Sequence, residues 1–209
     1  MYFLADAMAG AMDEVCSIAR IVDDLAACIV DLPASQWLPG SVCVPDCLDG
    51  CVSRCGDEVY TDAVRMFNTL RRPAVYVPGD NEWTDCHRLN NGGYDALERL
   101  AHLRRVMFAQ WGSSFGRTRM PLAHQAGPGQ KFVENTRFLH RGIVFAGINL
   151  PGSNNNKVSS DAECAQWSAR TPEQCKAANA EYLERDAANI AWMHEAFALA
   201  KKVHAPGLV

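Results

Sequence analysis

No apolar run in the sequence reaches the ~18 residues that a membrane-spanning helix needs, so no membrane partner is expected. Net charge is also small, −4 over 209 residues. It supplies no electrostatic reason to expect nucleic acid or an anionic surface as partner. Internal repeats and low-complexity segments are absent. The N-terminal stretch MYFLADAMAGAMDEVC carries acids and no early Lys or Arg, and does not read as a signal peptide. No histidine occurs before His87. CxxC pairs are missing too, although cysteine is not scarce. Cys43, Cys47, Cys51 and Cys55 recur every four residues, a spacing unlike common zinc modules. With nine cysteines in all, one thiol must stay free or pair between chains if the other eight pair.

What is present fits a globular chain, with 48% hydrophobic composition and both charge signs. Its character changes near residue 55. Residues 1–54 are Cys-rich and weakly patterned. Within them SIARIVDDLAACIVDL predicts a short amphipathic helix, with Ile18, Ile21, Val22, Leu25 and Ile29 on one side. Pro and Gly then punctuate a loop.

From residue 55 onward the signals become regular. DEVYTDAVRMFNTL predicts a helix with Val59, Tyr60, Ala63, Val64, Phe67 and Leu70 on one face. PAVYV predicts a short buried strand stopped by Pro78-Gly79. YDALERLAHLRRVMFAQW predicts a second helix, opened by an Asp95–Glu98 capping box, with Leu97, Leu100, Leu103 and Met107 inward. Alternation from Phe132 to Phe138, a turn at His140–Gly142 and the run IVFAGINL predict a hairpin. Thr171-Pro172-Glu173 opens a helix that extends to about Val203. Its apolar stripe is predicted as Leu183, Ala187, Ile190, Ala191, His194 and Phe197. Lys201, Lys202 and His204 near its end suit the helix dipole. The final GLV reads as the start of another strand. Alternating helices and short buried strands imply a layered α/β (α+β) domain.

Two polar loops each follow a buried strand, Gly79–Asp85 and Gly152–Asn156. In layered α/β folds ligands bind at the carboxyl ends of strands. The first loop offers Asp80, Asn81, Glu82 and Asp85, with His87 just beyond: hard oxygens and one imidazole. Such a set suits Mn, Fe or Zn. The same residue types also suit an Asx-type turn that satisfies the backbone after a Pro-Gly break. Asn154, Asn155 and Asn156 present the same choice between lining a phosphate pocket and holding a turn.

YVPGDNEWTDCHRLNNGGYDALERL and VFAGINLPGSNNN, in that order, resemble a bacterial branch of the calcineurin-like metallophosphoesterases over residues 55–209. The resemblance implies a β-sandwich flanked by helices, with two divalent metal ions at the strand ends. It also implies a small phosphorylated substrate, a phosphate mono- or diester, attacked by metal-activated water. The family motif Gly-Asn-His-Asp/Glu corresponds to Gly79-Asp80-Asn81-Glu82. Asp80 then takes the position of an Asn metal ligand, with Glu82 and Asp85 as further candidate ligands. Asn81 takes the position of the catalytic His. An amide can donate a hydrogen bond but cannot deliver a proton near neutral pH, and His87 is the candidate substitute.

The family's opening Asp-x-His motif has no counterpart here, no clear Gly-Asp follows it, and its closing Gly-His motifs would lie beyond GLV. The expectation is a partial domain, incomplete at both ends, with a residue 1–54 segment that does not encode the family's N-terminal strands. A shifted frame or start and an early stop would produce that pattern. Members of the branch tend to be exported or periplasmic, which implies disulfides Cys55–Cys86 and Cys164–Cys175, the latter stapling the loop AQWSARTPEQ. The function implied is metal-dependent phosphoesterase. Its alternative is an inactive remnant, or an α/β module that binds a phosphate-bearing ligand.

Overall fold

The computed structural model describes residues 2–4, 55–166 and 168–209. The helix expected over 17–32 and the cysteines Cys43, Cys47 and Cys51 lie outside them. Helices combine with two small sheets, a mixed α/β architecture. Strand β1 (Tyr2–Leu4) runs parallel to β2 (Ala74–Tyr76), in register Tyr2↔Ala74 to Leu4↔Tyr76. Helix α1 (Asp57–Phe67) precedes β2, and α2 (Ala96–Met107) follows it. A second, antiparallel sheet has the order β3 (Ala123–His124), β4 (Thr136–His140), β5 (Ile143–Gly147). Two helices close the chain: the short α3 (Asp161–Ala165) and α4 (Pro172–Lys202), of 31 residues.

Sequence pattern explains most of these elements. Helix α1 buries Tyr60, Ala63 and Phe67, which recur at helical spacing. They meet Tyr76, Leu100, Leu103, Met107 and Phe115 in one core. Rings carry much of the contact: Phe67 packs edge-on to Phe115, centroids 5.4 Å apart, and tilted on Tyr76 at 5.9 Å. Asp95 caps α2 by accepting the Leu97 and Glu98 N–H groups. The return bond of the expected capping box is not made, because Glu98 pairs with the Arg99 guanidinium at 2.5 and 2.7 Å. Thr171 and Gln174 do form a full box at the start of α4.

The hairpin is present with a later start. Phe132 has a left-handed φ of 67°, so the chain turns at Phe132–Glu134 and β4 begins only at Thr136. Arg141 and Gly142, at φ 48° and 83°, make the tight turn into β5. At the C-terminus the Val209 N–H donates to Val144 O and the Ala146 N–H to Val209 O. The GLV run thus pairs parallel with β5 through Leu208 and Val144, as its apolar character suggested.

Helix α4 corrects the sequence reading. Its buried residues are Cys175 and Ala178, which pack with Val158 and Cys164, and then Arg185, Asn189, Trp192 and Ala196. Leu183, Ala187, Ile190, Ala191, His194 and Phe197, predicted to be buried, are all exposed. Polar inner residues win their places by hydrogen bonding. Asn189 Nδ2 donates to Asn149 O at 2.7 Å, and Trp192 Nε1 donates to Thr136 O at 3.1 Å. A periodicity rule that ranks side chains by hydropathy cannot see such partners.

Candidate functional site

The loop after β2 is organised by one carbonyl. Asp80 O accepts the N–H groups of Trp83 and Asp85, at 3.2 and 2.9 Å, and the Thr84 hydroxyl at 3.0 Å. The chain therefore turns tightly after Pro78-Gly79 and passes into a 3-10 turn over Thr84–His87. Within this turn the Glu82 carboxylate is buried and accepts the Gly79 N–H at 2.6 Å. Trp83 is fully buried beneath the Arg185 guanidinium, 5.1 Å from its ring centroid. Asn81 is half-buried in the same turn.

The loop after β5 reaches the first loop through a hydroxyl. Ser153, Asn154, Asn155 and Asn156 have φ values of 49°, 57°, 55° and 64°. Four consecutive left-handed residues, none of them glycine, are costly for L-amino acids and persist only where surroundings impose them. Here Arg185 imposes them. This wholly buried side chain donates to Asn149 O at 2.9 Å, to Asn155 Oδ1 at 2.5 Å and to Asn155 O at 2.9 Å, and it pairs with Glu181 at 2.6 Å. Asn156 Nδ2 donates to Glu181 Oε2 at 2.9 Å. Asn154 is exposed and donates to Lys157 O at 2.9 Å. All three asparagines thus serve the turn itself.

The turn presents Ser153 to two carboxylates. Its Oγ lies 2.5 Å from Asp85 Oδ1 and 3.2 Å from Asp80 Oδ2. A hydroxyl has one proton, so Ser153 donates to one carboxylate at a time, and both bonds close together only when one of the two carboxyls is protonated. Burial pushes the Asp85 carboxyl up in that direction and the Asp80 charge adds to it; the Ser153 bond and the Arg88 charge pull it down. Arg88 Nη1 is 2.8 Å from Asp85 Oδ2, and Arg88 Nη2 donates to Ser153 Oγ at 3.2 Å.

His87 stands on the far side of the 3-10 turn, its Nδ1 2.5 Å from Thr84 O and 2.9 Å from Arg170 Nη2. Burial lowers its pKa to about 4, and the charges of Arg170 and Arg88 act in the same sense. That shift favours the neutral ring near pH 7.

The structure therefore brings Asp80 and Asp85 together, with Ser153 between them. Glu82 faces its own turn, and Asn154–Asn156 face the turn that carries Ser153. Sequence reasoning missed Ser153, Arg88 and Arg185. Gly152 was the available signal: a Cβ there would fall against the Asp80 carboxylate. Gly152→Ala should cost about 1 kcal/mol, the low end for overpacking, because the carboxylate can swing aside. Urea unfolding monitored by Trp fluorescence checks this, and a neutral result would show the two loops to be less closely apposed.

The disulfides expected from the resemblance are both formed, Cys55–Cys86 and Cys164–Cys175. The first ties the site loop to the start of α1. Among the described residues, no group of three His, Cys, Asp or Glu side chains is placed to hold a metal ion. No protein-family model, curated protein or solved structure gives a significant match to this chain.

Proposed function

We propose that this chain descends from metal-dependent phosphoesterases and that, as it stands, it is catalytically silent. Several features support the descent. Two long sequence stretches carry the resemblance, and the loops they encode meet at the carboxyl ends of β2 and β5, where such enzymes hold their metals. The parallel pair β1–β2, the sheet β3–β4–β5 and the flanking helices suit one part of a helix-flanked sandwich. Two disulfides suit an exported or periplasmic protein.

One observation carries the silence. Asp80 and Asp85, the two carboxylates that converge, are already engaged by Ser153 and Arg88. Two divalent ions need about four to six ligands each, shared between protein and water. The described residues do not fit that requirement. Further ligands would have to come from outside them.

The test uses the full chain, loaded separately with Mn²⁺, Fe²⁺ and Zn²⁺, desalted and analysed for bound metal, then assayed on an aryl phosphate monoester and diester. Sub-stoichiometric metal and no turnover are expected. Stoichiometric metal with turnover abolished by Asp80→Ala would overturn the silent reading in favour of an active phosphoesterase.

A further inference from the structure

A small cavity lies between the two sheets. Ala74 and Tyr76 of β2 line one side of it, and His124 of β3 and Thr136 of β4 line another, with Phe115 and the exposed Gln110 on its wall. Its volume is about 10 Å³, the least that admits one water molecule and too little for a larger ligand. Strand register aims two polar side chains into it. His124 is paired directly with Thr136 across β3 and β4, and Thr136 with Gly147 across β4 and β5. Opposed residues share one face of an antiparallel sheet, so the three form a row on the face that lines the cavity. Glycine at the end of the row leaves room for the hydroxyl. A Cβ on Gly147 would sit 3.1 Å from Thr136 Oγ1 and 2.9 Å from Val77 Cγ2.

Among the described residues, neither polar atom has a hydrogen-bond partner. Thr136 is 1% exposed, and its Oγ1 and His124 Nε2 are both buried and unbonded, to each other as to the rest. The other imidazole nitrogen fixes the chemistry of this one. His124 Nδ1 lies 2.6 Å from Val133 O. A carbonyl only accepts, so Nδ1 carries the ring proton. Burial lowers the His124 pKa against the pull of that bond, which favours the neutral ring and leaves Nε2 an acceptor. Phe108 packs edge-on to the imidazole at 6.2 Å and Trp111 lies tilted against it at 6.0 Å, which holds the ring in place. The cavity therefore calls for a molecule that donates to a nitrogen, bonds a hydroxyl and fills the space of one water. A metal ion does not suit it, since no carboxylate or thiolate lines the wall to balance the charge.

We propose that this cavity binds one water molecule, which donates to His124 Nε2 and bonds Thr136 Oγ1, with the Gln110 amide at the wall as its third partner. The proposal is independent of the phosphoesterase reading. Magnetic relaxation dispersion of the water oxygen, measured on the full chain, counts water molecules that stay bound while the protein tumbles. Thr136→Val keeps the side-chain shape and removes the hydroxyl, and should lower that count by one. Thr136→Ser keeps the hydroxyl and should leave the count unchanged. In the unsubstituted chain, water should also show a nuclear Overhauser contact to the His124 ring protons Hε1 and Hδ2, which flank Nε2. Thr136→Val should abolish that contact. Equal counts in the unsubstituted chain and Thr136→Val overturn the proposal. So does a scalar coupling between the Thr136 hydroxyl and His124 Nε2, which would show the two groups bonded directly. The Overhauser contact needs no variant, so its absence from the unsubstituted chain overturns the proposal even where Thr136→Val does not fold.

Discussion

Glu134→Leu should destabilise the chain by about 3–5 kcal/mol, while the double variant Glu134→Leu/Arg104→Met should recover most of that loss. Glu134 is fully buried and Arg104 nearly so, with side-chain exposures of 0% and 8%. Their contact is bidentate: Arg104 Nε donates to Oε2 at 2.9 Å and Nη2 to Oε1 at 2.5 Å. Removing the carboxylate alone strands a guanidinium where water cannot reach it. Removing both charges exchanges the pair for apolar volume, which buried ion pairs commonly tolerate. Recovery will be incomplete, because Asn149 Nδ2 also donates to Glu134 Oε1, at 3.1 Å, and would lose its acceptor. Urea unfolding at constant m-value measures both variants. A single-variant loss below about 1 kcal/mol, the range of exposed pairs, would show the pair to be solvated and would remove it from the account of how the loops are held.

The hydrogen-bonded network runs on from the pair to the site. Asn149 links Glu134 to the turn: its N–H donates to Asn135 Oδ1 at 2.8 Å, and its carbonyl accepts from Arg185 and Asn189. Arg185 then fixes the left-handed turn and covers Trp83 in the other loop. The two loops of the candidate site are thus positioned from inside by one polar network across α2, β4, β5 and α4. Ser153 sits 3.2 Å from Asp80 because the network constrains Asn155, two residues along the chain.

This also explains which parts of the molecule were legible in the sequence. Helices α1 and α2 bury apolar side chains that the 3.6-residue periodicity reports directly, and β2 is a short continuous apolar run, although Arg99 and Arg104, also buried on α2, escape that rule. The caps at Asp95 and Thr171 are local chemistry and equally readable. Helix α4 inverts the rule. Arg185 and Asn189 occupy its inner seam because partners distant in sequence satisfy them, while Leu183, Ile190 and Phe197 lie outside. The extent of α4 was readable and its orientation was not. The same limit applies at the site. The polar residue types near Asp80 stood out, yet whether each carboxylate faced a neighbour or its own backbone depended on Gly79 and Ser153. No hydropathy or motif rule encodes those contacts. The disulfides came from resemblance, not from spacing, since nine cysteines permit many pairings.

Replacing Cys164 and Cys175 together by Ser should cost about 3 kcal/mol, and replacing Cys55 and Cys86 should cost nearer 4 kcal/mol, from the entropy that each crosslink removes from the unfolded chain. The order follows from sequence separation, 11 residues against 31. It is reinforced by burial, since Cys55 and Cys86 are 3% and 0% exposed. The two losses should differ in kind as well as in size. Cys164–Cys175 joins α3 to the first turn of α4 beside Val158 and Ala178, a small cluster apart from the main core, so its removal loosens that corner. Cys86 lies between Asp85 and His87, and Tyr60 Oη donates to Glu82 O in the same turn at 2.8 Å. Removing the Cys55–Cys86 bond should therefore also loosen the turn that holds Asp85 against Ser153. Chemical denaturation of each double variant under oxidising buffer tests the ranking. Amide hydrogen exchange over residues 79–88 tests the second effect, with faster exchange expected in the Cys55/Cys86 variant and not in the Cys164/Cys175 one. Equal exchange in both would show that the Asp80 carbonyl hub holds the turn without help from the crosslink.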